Sequence, residues 1–252
     1  MKNKISIAMN SIIFLLVAFA TTCMIFGINI MSRTEEVRAF TAANLSAFKY
    51  YTVDSNVFGA LVALVYVCFE IALARGKIAR LPKILHLLRL AAATGLTLTM
   101  LVTAFFLIPQ FGEHWYILYI DNNFFFHLTV PLLSIITFIF FEGDTGISLK
   151  ESLFGIITMA TYAIFYTINV FTHLGNGHPL KDYDWYGFLG GKISNAVIAI
   201  PAMLLITWGI TLALWWGNRK VNSSQIFQYK RQHINRLEHK LTFITNVFLR
   251  NK

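Results

Sequence analysis

Charge is scarce in this sequence: Asp, Glu, Lys and Arg make up 13% of its 252 residues, while 56% are hydrophobic. A chain so poor in charge cannot cover itself with polar groups, which excludes an ordinary water-soluble domain. Acidic residues are scarcer than basic ones, 12 against 21, giving a net charge of +9. That excess does not point to nucleic acid, because the basic residues lie in connections and in the C-terminal stretch, as in a membrane protein with a cationic inner side. Cysteine is nearly absent. Cys23 and Cys68 both fall inside apolar runs and read as buried thiols, with no disulfide framework and no metal pair. Gly-rich phosphate loops, zinc signatures and soluble-cofactor motifs are missing altogether, so no cofactor and no metal are expected.

What is present is a series of apolar runs long enough to cross a bilayer. The first extends from Ile5 to Met31 behind two lysines. Ala18-Phe19-Ala20 has the form of a cleavage site, but the run continues well beyond it, so a retained helix is expected. Ser32 to Tyr51 is mixed polar, with room for a short interfacial helix near Arg38 to Phe48. The second run covers about Thr52 to Ala74 and the third about Ile84 to Ile108, separated by the basic turn Arg75 to Lys83. Glu70 and Arg89 lie about one turn inside the same membrane face and are expected to pair or to snorkel there, in a structural role. The fourth covers Asp121 to Phe141. In it, Pro131 cannot donate to the carbonyl of His127, which predicts a kink in the helix beside the histidine. The fifth covers Leu153 to Phe171, with Tyr162 and Tyr166 on one face, and the sixth about Asn195 to Trp216.

The expected fold is therefore all-α: a polytopic six-transmembrane-helix bundle over residues 1–217, followed by a basic tail over 218–252. Phe227, Ile234, Leu241 and Phe248 recur every seven residues in the tail, which predicts an amphipathic helix lying on the inner membrane surface. With the N-terminus inside, fifteen Lys and Arg fall on the inner side and five on the outer. That bias predicts both termini in the cytoplasm.

The chain turns on Phe48-Lys49-Tyr50-Tyr51-Thr52-Val53-Asp54-Ser55-Asn56, where a polar aromatic segment becomes a membrane helix. On that helix Thr52, Ser55 and Asn56 share one face, which must look into protein or a wet cavity and not into lipid. Two readings fit. Thr52 can be a helix cap with Tyr50 and Tyr51 as interfacial anchors. Alternatively its hydroxyl is a nucleophile. Thr52 and His127 both begin spans that enter from the outer side, so they lie at similar depth, and a neutral imidazole is the side chain suited to deprotonate a hydroxyl near pH 7. A histidine that only satisfies packing fits the same position.

Phe48-Lys49-Tyr50-Tyr51-Thr52 resembles the aromatic-Lys-Tyr-x-Thr motif of the family of the androgen-induced gene protein and the androgen-dependent TFPI-regulating protein. Thr52-Val53-Asp54-Ser55-Asn56 is similar to the Thr-x-x-Ser-Asn form of its bacterial six-span relatives, and His127-Leu128-Thr129-Val130-Pro131 to their His-x-x-Val-Pro. Trp185-Tyr186-Gly187-Phe188-Leu189 resembles the family's Tyr-Pro-Phe-Leu, with Gly187 where Pro is usual. The likeness covers about Arg38 to Trp216. It implies a hydrolase of fatty-acid esters of hydroxy fatty acids in a bacterial inner membrane, with Thr52 as nucleophile and His127 as base. The partners so implied are a lipid ester and membrane lipids.

Oxyanion donors would come from backbone amides at the start of the second span and from Asn56 or Asn123, with Ser55, Trp185 and Tyr186 near the substrate and Asp121 as an orienter of the histidine. Phe58, Leu61 and Leu132 are expected to line an acyl pocket below. Two other classes use the same polar residues. A transporter would carry internal repeats, and none is evident; a non-enzymatic lipid-binding protein would not. A metal enzyme would need His127, His173, His178, Asp182 and Asp184, whose spacing fits no ligand motif and whose loop members read as solvated.

Overall fold

The computed structural model describes the backbone of residues 2–31, 43–143 and 145–250, with side chains from Lys4 to Ser223. Six helices are long and apolar enough to cross a membrane: Lys4–Phe26, Tyr51–Ala74, Lys83–Tyr119, Asn122–Phe141, Leu149–Thr172 and Ile193–Ser223. The protein is an all-α, multi-pass membrane protein. Its strands among the described residues are two short pieces, Leu174–Gly175 and His178–Pro179, paired antiparallel in the fifth connection.

The third span is the centre of the bundle. Every residue from Arg89 to Thr99 is buried, and the run Ala91-Ala92-Ala93-Thr94-Gly95 is small enough for neighbours to approach on all sides. On one side Ile13, Val17, Val53, Ala60, Phe126 and Val130 join the first, second and fourth spans in one cluster. On the other, Leu90, Leu98, Phe138, Met159, Ile210 and Leu214 join the third to the fourth, fifth and sixth. The fifth and sixth spans meet at Gly155, where an added Cβ would stand 2.3 Å from Thr211 Cγ2.

Several boundaries differ from expectation. The first helix ends at Phe26, ahead of Gly27 at φ 65°, not at Met31. The third does not end at Ile108. It passes through a π-turn at Thr103–Leu107 and a short α-turn into a 3-10 stretch, Gly112–Tyr119, so most of the expected outer loop is helical. The sixth helix continues unbroken from Ala196 to Arg250 through the position expected to start the tail. Asn218 explains part of this: it is buried and donates to the carbonyls of Phe138 (2.7 Å) and Gly143 (2.9 Å), which makes the first turn of the tail part of the body. The side chains that would form the tail's heptad face, and residues 38–42 of the segment read as an interfacial helix, lie outside the described residues, while Leu45–Lys49 forms a 3-10 turn.

Arg89 does not pair with Glu70. Its Nε and Nη2 both donate to Glu142 Oε1 at 2.8 and 2.6 Å, and both side chains are fully buried. Glu70 instead accepts from Ser6 of the first span at 2.9 Å. Pairing by depth alone overlooks partners that the bundle brings from more distant spans. Cys23 is buried as expected, but Cys68 is exposed on the outside of its helix.

Candidate functional site

The second span starts at Tyr51 with an extended Tyr50 before it, and Tyr50 offers no side-chain cap. The cap comes from far along the chain. Tyr186 places its hydroxyl 2.9 Å from the Tyr51 amide, which donates to it, and Tyr186 and Thr52 border the same small cavity. Desolvation pushes the Tyr186 phenol above its ordinary range and outweighs the stabilising hydrogen bonds, so it is neutral at physiological pH and keeps an O–H to donate. Its ring stacks on Phe188, centroids 5.0 Å apart.

One turn on, Ser55 and Asn56 are buried and Thr52 is half-buried, so the face that could not look into lipid looks inward. Ser55 Oγ shares a hydrogen bond with Thr99 Oγ1 of the third span at 2.9 Å. Asn56 Nδ2 donates to the Thr52 carbonyl at 2.8 Å and to the Phe126 carbonyl at 3.2 Å. A single amide therefore ties the turn carrying Thr52 to the residue preceding His127. Both of its hydrogens are then in use, which removes Asn56 from the set of oxyanion donors, while its Oδ1 is buried without a partner.

His127 is buried within a π-turn, Phe125–Thr129, immediately ahead of Pro131. The missing proline amide is accompanied by a wider, π-type turn at the histidine, at the place where the sequence predicts a kink. Its Nδ1 lies 2.7 Å from the Leu118 carbonyl. A carbonyl can only accept, so Nδ1 carries the proton and Nε2 keeps the lone pair that a base requires. The orienter is therefore the Leu118 carbonyl and not Asp121, whose Oδ1 accepts from the Ile30 amide at 2.8 Å. No described hydrogen bond joins Thr52 to His127. Asn123 is half-buried, whereas the neighbouring Asn122 is buried with both amide atoms unpartnered. The backbone donors expected at the helix start are also largely engaged, Tyr51 by Tyr186 and Val53 and Asp54 by the Tyr50 carbonyl.

Two cavities flank this turn. A small one of about 30 Å³ borders Thr52, Thr99, Thr103, Tyr162 and Tyr186. It has room for about one water among hydroxyls. A larger one of about 720 Å³ lies between the second and fifth spans, with Phe58, Leu88, Phe154, Ile157 and Phe165 on its walls and Lys49 and Trp185 at the Thr52 end. Tyr51 and Tyr162, ring centroids 5.2 Å apart, line both cavities and form the wall between them. Phe58 lines the larger cavity as expected. Leu61 and Leu132 do not, being 55% and 41% exposed on the outer surface.

The long connection before the sixth span is not merely solvated. Asp184 is buried, accepts from the Tyr166 hydroxyl and from the Leu189 amide, and thereby sets the loop that delivers Trp185 and Tyr186. Trp185 Nε1 donates to the Tyr162 hydroxyl at 3.0 Å, which itself donates to the Lys49 carbonyl at 2.7 Å. The sequence signal for Asp184 was the Tyr162/Tyr166 face, which needed an acceptor. His173 and His178 are exposed, as expected of loop residues, and among the described residues no three or more His, Cys, Asp or Glu converge as a metal site would require. No protein family, curated protein or solved structure matches the chain.

Proposed function

We propose that this protein is a membrane-embedded hydrolase of lipid esters, of the kind that cleaves fatty-acid esters of hydroxy fatty acids, with Thr52 as nucleophile and His127 as general base. The observation that carries the reading is the Asn56 amide, which spans the carbonyls of Thr52, itself bordering a water-sized cavity, and of Phe126, whose chain neighbour His127 has Nε2 as its basic nitrogen. The acyl chain occupies the apolar cavity against Phe58 and Leu88, and the Tyr51–Tyr162 contact parts to admit the ester carbonyl to Thr52. His127 Nε2 takes the Thr52 proton through one bridging water, and Thr52 Oγ forms a bond to the carbonyl carbon. The Tyr186 O–H donates to the oxyanion, the role first assigned to Asn56 and the backbone amides. The ester C–O bond then breaks and the alcohol leaves with the proton from His127. A water accepted by Asn56 Oδ1 hydrolyses the acyl-threonine and regenerates the hydroxyl.

The charge bias supports an arrangement with both termini in the cytoplasm and the Thr52 end of the bundle outside; the bacterial inner membrane rests on the resemblance alone. A second reading, a lipid-binding protein without catalysis, is favoured by one observation: the 720 Å³ cavity is well formed while Thr52 and His127 share no hydrogen bond. Purified protein and its Thr52→Ala and His127→Ala variants, assayed on a lipid ester with and without chelator, separate the two. Each variant is expected to lose nearly all hydrolysis while Thr52→Ser keeps part of it, and wild-type activity is expected to resist chelation. Lipid binding with no turnover in the wild type establishes the second reading.

A further inference from the structure

The opposite end of the bundle holds a second polar cavity that the hydrolase reading does not use. It measures about 930 Å³ and lies among Glu70, Arg80, Lys83, His86, Phe141 and Glu142. Glu70 is 18 residues beyond Thr52 on the same helix, which places it about 27 Å away along the axis. The cavity has a charge gradient. Its two carboxylates belong to buried residues, while Arg80 and Lys83 are exposed.

The buried carboxylates are incompletely satisfied. Glu142 Oε1 receives both Arg89 bonds and one from Asn10 at 3.3 Å, but Oε2 has no partner although the side chain is fully buried. Glu70 Oε2 accepts from Ser6, Oε1 receives no described hydrogen bond, and no described ion pair reaches Glu70. Arg89 already gives Glu142 one opposite charge, so what the floor still lacks is a donor for Glu142 Oε2 and a cation for Glu70, and a buried charged oxygen left unpaired is costly. At the rim, Lys83 already pairs with Glu151 at 2.6 Å, which leaves Arg80 as the cation without a described ion pair.

We propose that this cavity binds a phosphoethanolamine group, its primary ammonium on Glu70 and Glu142 and its phosphate at Arg80 and Lys83. A primary ammonium carries three donors and can bond both carboxylates at once. A trimethylammonium has none. An anion without the amine gains the rim cations but meets two carboxylates below, so the floor selects against it. The same chemistry is carried by phosphatidylethanolamine in the bilayer and by soluble glycerophosphoethanolamine.

The test uses the full chain in detergent, titrated with short-chain phosphatidylethanolamine, phosphatidylcholine and phosphatidylglycerol bearing identical acyl chains. Phosphatidylethanolamine is expected to bind roughly tenfold more tightly than either of the others. Glu70→Gln keeps an acceptor for Ser6 and is expected to abolish that preference. Arg80→Ala, on the exposed rim where folding is not at risk, is expected to weaken all three lipids while the preference persists. Displacement of the bound lipid by glycerophosphoethanolamine assigns the site to the free compound as well, and failure to displace assigns it to the lipid; both agree with the proposal. Equal affinity for the ethanolamine and choline lipids, tightest binding of phosphatidylglycerol, or an Arg80→Ala protein with unchanged affinity overturns it.

Discussion

At the scale of single residues, Tyr186 has one observed role and one proposed role, which stability and kcat read separately. Its oxygen accepts from the Tyr51 amide, and the proposal gives its proton to the oxyanion. Tyr186→Phe removes both, and is expected to cost about 1 kcal/mol of stability as a lost helix cap. If the phenol is the oxyanion donor, kcat also falls about a hundredfold with little change in KM. A fall in stability without a fall in kcat, read from thermal unfolding beside initial rates, restricts Tyr186 to capping. The Arg89–Glu142 pair makes a contrasting case. Both side chains are fully buried, so Arg89→Met alone leaves an unpaired carboxylate and is expected to destabilise the protein by about 3 to 5 kcal/mol. Adding Glu142→Leu is expected to recover much of that loss, since the partner left without a cation is then also apolar. A double variant no more stable than the single, in the same denaturation assay, contradicts this account.

At the scale of elements, the contact of the fifth and sixth spans depends on the lack of a side chain at Gly155. Gly155→Ala puts a methyl group into Thr211, at 2.3 Å from Cγ2 and 2.6 Å from Oγ1, and the two helices must separate. Packing, not a hydrophobic drive, holds membrane helices together, so the substitution is expected to lower the melting temperature clearly. Thr211→Ala removes both clashing atoms, and the pair together is expected to be more stable than Gly155→Ala by itself. Thermal melts of the three proteins check this. The fourth span illustrates what an element-level pattern can and cannot yield. Pro131 made His127 the place to expect an irregular turn, read as a kink, because a missing amide four residues on is a local fact. Its form as a π-turn, and the Leu118 carbonyl that orients the ring, depend on a 3-10 stretch where an outer loop was expected.

At the scale of the whole molecule, sidedness and cavities are the open questions that experiment can address directly. Gln110 and Ser223 are both exposed, at opposite ends of the bundle, so a single cysteine at either can be labelled with an impermeant reagent in a background lacking the native thiols. Labelling from outside is expected at Gln110 and not at Ser223. The reverse pattern inverts the topology and puts Thr52 and His127 on the cytoplasmic side. The two large cavities lie at the two ends of the second span, one apolar beneath Lys49 and one polar beneath Arg80.

The spans, their number and the inward face of Thr52, Ser55 and Asn56 were legible in the sequence alone. Long apolar runs, and polar groups that cannot face lipid, are constraints that act along one helix. The partners of those groups were not legible. Asn56 bonding to Phe126, Tyr186 capping Tyr51, Asp184 holding Tyr166, and Arg89 choosing Glu142 over Glu70 each join residues far apart in the chain. Depth in the membrane narrows such pairings but does not select among them. The selection is made by which helices lie side by side, and that follows from the small residues of the third span and the glycine at 155, around which the other spans close.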